Sequence, residues 1–254
     1  MIGIPRALLF AVAAIGLTAA WLAAYRLPFA DPRTRQRVRL AISSLTGLPA
    51  RYVFSILGTV IYLVLGGAAA YALLRVGRLN PVDLLAWRIS GEGAALTLLA
   101  GIGASALTAF AMSVLHALPG RADVPTTVAD VRWIQEIVVL PRPWRSLIPG
   151  ISGALEEFYF RGVMLFGLLA TGFPVWAALV FTGAVFTAGQ VALTESRMQA
   201  TVLAISSIVL SVVCGLLTVV EGSVLPAILI HASFAGYYTN MSVRRTAVAA
   251  NPPR

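Results

Sequence analysis

Seven stretches of this chain are too long and too apolar for a water-soluble domain: residues 4–25, 52–76, 91–118, 146–169, 174–193, 199–220 and 223–243. A hydrocarbon layer about 30 Å thick takes a helix of about 20 apolar residues to cross. Inside that layer no water meets the backbone, so each stretch has to pair its own N–H and C=O groups as a helix. The expected fold class is all-α, a polytopic transmembrane helical bundle of about seven spans. Composition agrees. Apolar residues make up 59% of the 254 residues and charged ones 11%, against about 25% charged in a soluble domain. Mean hydropathy is +0.86.

The net charge of +9 comes entirely from arginine, because the chain has no lysine. A basic chain can signal nucleic acid, but these arginines sit in loops between apolar spans, so no nucleic-acid partner is expected and membrane lipids are. Residues 26–51 hold Arg26, Arg33, Arg35, Arg37, Arg39 and Arg51 against one acid, Asp31. The positive-inside rule makes this loop cytoplasmic and the N-terminus external. Residues 119–145, with Arg121, Arg132, Arg142 and Arg145, and the tail with Arg244, Arg245 and Arg254, then fall inside. Loop 77–90, with Arg78 and Arg88, is a mild exception. The alternating arginines 33, 35, 37 and 39 fit contact with anionic headgroups, but we read them as an orientation signal.

Ile4 to Tyr25 resembles a signal peptide but is read as a retained helix, because it is long and an arginine cluster follows it. Segment 124–142, bounded by Pro125 and Pro141 and carrying Trp133, Ile134 and Ile137, fits an interfacial helix. Cys214, the single cysteine, lies within a span and reads as a small buried hydrophobe. There is no internal repeat of the kind that marks many transporters.

Charges in mid-span cost about 2.5–3.5 kcal/mol each on insertion scales, so each needs an explanation. The fourth span holds three within six residues, in Glu156-Glu157-Phe158-Tyr159-Phe160-Arg161-Gly162. Glu157 and Arg161 are four apart, share a helix face and can pair. Glu156 is turned about 100° away and has no partner on its own helix. A carboxyl so placed is a candidate general acid or base. The last span carries His231, and glutamate with histidine is the minimum for activating water. Gln190, late in the fifth span, is the other strong polar group near this layer. His116, ending the third span, reads as interfacial.

Glu-Glu-x-x-x-Arg-Gly in one membrane helix, followed by a late Pro226-x-x-x-x-His231-Ala232 helix, resembles the CPBP family (Abi, or CAAX prenyl protease type II-like) of intramembrane peptidases. The resemblance covers roughly residues 145–240. It divides the chain into N-terminal spans, basic loop and interfacial helix (1–143), a CAAX-protease-like membrane core (144–243) and a cytoplasmic tail (244–254). It implies that Glu156 activates a water with help from a second-motif histidine. His231 and an asparagine four residues on would stabilise the oxyanion, with Glu157 and Arg161 supporting the site. Two positions depart from the pattern. Gln190 stands where the second-motif histidine is expected, and Ala235 where the asparagine is. Family members are described both as metalloenzymes and as metal-free glutamate peptidases. Glu156 and His231 are too few for the three protein ligands of a catalytic zinc, so no cofactor is expected.

The resulting reading is an intramembrane endopeptidase acting on a membrane-associated peptide or protein, with Glu156, His231 and Gln190 catalytic. One alternative, carried by the two departures, is an impaired relative that binds a membrane partner in immunity or trafficking. A more distant one is a rhomboid-like serine protease using Ser152, from Gly150-Ile151-Ser152-Gly153, with His231. The expected location is a bacterial plasma membrane.

Overall fold

The computed structural model describes residues 3–27, 30–87, 90–117 and 123–250, and these residues are mostly helical and contain no strand. Long helices occupy all seven expected spans: α1 (Gly3–Arg26), α3 (Ala50–Gly77), α5 (Gly91–Ala117), α8 to α9 (Arg142–Ala170), α10 (Val175–Ala192), α11 (Arg197–Glu221) and α12 (Leu225–Ala250). Between them lie the shorter α2 (Pro32–Thr46), α4 (Pro81–Leu85), α6 (Val124–Ala129) and α7 (Arg132–Val138). By length and composition, α1, α3, α5, α10 and α11 can each cross a bilayer. The fourth stretch carries the buried charges, and the apolar part of α12 is shorter, Leu225–Gly236.

Three elements differ from the sequence reading. The basic loop folds into α2, whose N-terminus is capped by Asp31. The backbone N–H and hydroxyl of Thr34 bond that carboxylate and hold it below the usual carboxylate range. On a helix the alternating arginines separate: Arg33 and Arg37 are exposed, while Arg35 and Arg39 turn to the Phe54 ring, at 3.9 and 5.9 Å. The interfacial segment is split into α6 and α7, because the chain turns at Asp130 and Val131. The last helix runs on through Ala250, so the start of the expected tail is helical. Arg88, Arg121 and Arg254 lie outside the described residues.

The core is built where α1, α3 and α10 surround the fourth span. Phe10, Trp21, Leu73, Tyr159, Leu168 and Phe186 are among its buried members. Close approach depends on glycine. A Cβ at Gly66 would lie 2.5 Å from the Trp21 ring and 2.7 Å from Leu155, and one at Gly167 only 2.0 Å from Phe10. Apolar side chains on the outside, such as Leu98, Phe110 and Trp176, face the lipid position. Gly66→Val forces α3 away from α1 and α8, and overpacking of this kind costs about 1–3 kcal/mol. A lowered melting temperature in detergent, followed by size-exclusion fluorescence, is the expected result.

Candidate active site

Between Glu157 and Phe166 the fourth span changes its winding. Residues Phe158–Leu165 form a π-helical turn between α8 (Arg142–Glu157) and α9 (Phe166–Ala170). Such turns are uncommon and recur at functional sites. Here the turn begins directly after the two glutamates.

Glu157 and Arg161 are buried at 0% and 1% exposure. Arg161 Nη1 donates to Glu157 Oε1 at 3.0 Å, and its Nη2 donates to Ser211 Oγ at 3.1 Å. The guanidinium also lies 4.2 Å from the centre of the Phe186 ring. Three elements are thereby tied to one cation. Glu157 Oε1 takes a second bond, from His231 Nδ1 at 2.7 Å. Its other oxygen is buried and has no hydrogen-bond partner among the described residues.

Glu156 points the other way, into a cavity of about 950 Å³. It has partners on two other helices. The Tyr62 hydroxyl donates to Oε1 at 2.7 Å, and Gln190 Nε2 to Oε2 at 3.0 Å. His231 Nε2 lies 4.0 Å from Oε2, beyond hydrogen-bond reach. His231 thus stands between both glutamates, with Phe186 edge-on at 6.0 Å and the backbone of Gly153 against its ring. With Nδ1 engaged by Glu157, the other ring nitrogen, Nε2, faces Glu156 and the cavity.

The structure therefore brings Glu156, Gln190 and His231 into one cluster and puts Glu157 and Arg161 behind it. Ser152 and Ala235 also line the cavity, but no hydrogen bond among the described residues joins Ser152 to His231. The arrangement leaves the serine reading without its base contact. Tyr62 is the site residue that the motifs did not indicate. Its only sequence signal is a phenol tip inside an apolar span.

The polar groups beside the cavity are already engaged with one another. Glu157 is committed to Arg161 and His231, and Gln190 turns its amide nitrogen toward Glu156. Among the described residues no group of three His, Cys, Asp or Glu is placed to hold an ion, where a catalytic zinc takes three protein ligands.

The cavity runs from Glu156 toward the end of the bundle that carries α2, where α6 and α7 cross it. Ile134, Glu136 and Ile137 of α7 line that end. Glu136 is held by Arg35, and its carbonyl accepts from Ser55. Burial pushes the Glu136 carboxyl up, with Arg35 opposing. A second ion pair, Arg132 to Glu195, joins α7 to the turn before α11. His116 lines the same end.

Residues 139–236 match the family model of type II CAAX prenyl endopeptidase Rce1-like proteins. The matched stretch holds Glu156, Glu157, Arg161, Gln190 and His231, and the match is consistent with the resemblance to CAAX-protease-type membrane peptidases carried by the motifs. No curated protein and no solved structure matches the chain. The matched stretch begins after α7, so Tyr62 and the whole N-terminal half lie outside it.

Arg161→Met leaves Glu157 buried without its cation. Breaking a buried pair this way costs about 3–5 kcal/mol. Detergent-solubilised protein should show a large loss of unfolding free energy, whereas Arg145→Met at the half-exposed end of α8 should change little.

Proposed function

We propose that the protein is an intramembrane endopeptidase in which Glu156 is the general base. The observation that supports this best is the carboxylate of Glu156 on the wall of a large cavity, with both oxygens oriented by neutral donors and His231 Nε2 beside it. A water at Oε2 would pass one proton to Glu156 while its oxygen bonds to the substrate carbonyl carbon. The carbonyl π electrons move to its oxygen. With both ring nitrogens protonated, His231 keeps Nδ1–H on Glu157 and turns Nε2–H to that oxyanion. Collapse breaks the C–N bond, and the proton held by Glu156 goes to the leaving amine. Gln190 cannot take up a proton, but its amide oxygen can accept the water's second hydrogen.

The substrate would be a membrane-associated peptide or protein segment entering from the end spanned by α6 and α7, which lies on the arginine-rich side. We place that side in the cytoplasm of a bacterial cell. Ser44→Cys should then react with an impermeant maleimide only in inverted vesicles, and Ala170→Cys only in right-side-out ones. The reverse pattern would turn the topology over.

The other reading is a family member that has lost activity and acts by binding a membrane partner. Gln190 in place of a histidine and Ala235 in place of an oxyanion donor favour it, since one such donor is worth about 10²–10³ in rate. A membrane-peptide library incubated with purified protein separates the readings by mass spectrometry. Cleavage that is lost in Glu156→Ala and kept in Ser152→Ala is the result expected of a glutamate peptidase. Silence from wild type, with cleavage only in Gln190→His/Ala235→Asn, would instead establish a decayed site.

A further inference from the structure

Among the described residues Glu156 has two hydrogen-bond partners, and one of them comes from outside the stretch that matches the peptidase family model. Tyr62 sits on α3, at 9% exposure, and lines the cavity with Glu156. Its ring is fixed on two sides. Trp21 lies 4.7 Å away and Tyr25 stands edge-on at 5.2 Å. Trp21 Nε1–H also donates to the Tyr62 carbonyl at 3.0 Å, so α1 holds both the backbone and the ring of this residue. Four residues on, Gly66 lets α3 lie against Trp21 and Leu155, the residue that precedes Glu156. The tyrosine hydroxyl is thus delivered to Glu156 by a rigid support rather than by a mobile side chain.

A carboxylate on a helix can rotate about its last torsion, because that torsion has only a weak preference. A hydrogen bond at each oxygen removes this freedom. Gln190 alone would fix Oε2 but would leave the plane of the group free to tilt. Tyr62 at Oε1 supplies the second point. We propose that Tyr62 is a positioning residue of the site, holding Oε1 of Glu156 so that Oε2 is presented to the cavity beside His231. As a role in catalysis this rests on the peptidase reading; the contact itself does not.

The consequence is that the N-terminal spans are part of the active site. The helix pair α1 and α3 does more than anchor the matched core: it carries the second support of the base. In a site that lacks the second-motif histidine, that support comes from a neutral phenol and a neutral amide.

Two readouts test this, one of them independent of cleavage. Dicyclohexylcarbodiimide is an apolar carboxyl reagent that enters membranes, and tandem mass spectrometry distinguishes a Glu156 adduct from one on Glu157. Tyr62→Phe removes one oxygen and keeps the ring. It should raise labelling of Glu156 roughly tenfold, as expected for loss of a hydrogen bond to a charged group. Tyr71→Phe, on the lipid-facing side of the same helix, should label as wild type does. Trp21→Phe keeps the hydroxyl but loosens its support, and should give a smaller rise. Labelling unchanged in both Tyr62→Phe and Trp21→Phe overturns the proposal. Where wild type cleaves peptide, Tyr62→Phe should lower kcat roughly tenfold with KM unchanged, and a rise in KM alone overturns the positioning role. A wild type that cleaves nothing defeats the peptidase reading, while the labelling still decides whether Tyr62 holds Glu156.

Discussion

The buried pair of Glu157 and Arg161 is the interaction on which the other contacts of the bundle depend. Neither ion could sit at this depth alone, since an uncompensated charge in the membrane interior is costly. Paired, they organise their neighbours. Arg161 has donors left over and spends one on Ser211 of α11, while its flat face meets Phe186 of α10. Glu157 takes up His231 of α12 with the same oxygen that meets Arg161. The fourth span is therefore tied to three others through two side chains. The π-helical turn lies within this arrangement, with Arg161 inside it and Glu157 at its entrance.

This division of labour separates two adjacent glutamates that share a chemistry but not an environment. Glu157 faces a cation and a histidine and is sealed from the cavity. Glu156 faces neutral donors and the cavity space. Glu157 is engaged by a cation and a ring nitrogen, whereas Glu156 is held by a phenol and an amide and keeps its open side toward the cavity. His231 touches both sides, bonded to the supporting glutamate and facing the other.

The matched C-terminal stretch does not make this site by itself. The second hydrogen bond to Glu156 comes from α3, whose approach is fixed by Trp21 of α1 and by the missing side chain at Gly66. At the other end of the cavity, α7 is clamped by Arg35 of α2 and by Glu195 before α11. The basic segment that marks orientation in the sequence thus also has a structural task. Two of its arginines are spent on Phe54 and Glu136, and Arg33 and Arg37 are left exposed.

The positions of the long helices could be read directly from the sequence, because hydrocarbon leaves the backbone no alternative to a helix and the apolar blocks record its thickness. The pairing of Glu157 with Arg161 was legible for a similar reason: four residues on one helix is a local distance. The split between α6 and α7 was not, since apolar content and two prolines fix the ends of a segment and not a turn within it. Nor was the partner of His231, because helical spacing says nothing of which residue on another span a ring nitrogen meets. Tyr62 is the clearest case. It stands 94 residues before Glu156, and an aromatic in an apolar span has no periodic or charge signal to set it apart. The sequence by itself determined a helical membrane bundle and the identity of its buried charges, since both follow from local composition and near-neighbour spacing. Only the tertiary structure decided which glutamate faces the cavity and what holds it, because those depend on how closely separate helices approach, and that is set by packing across the whole bundle.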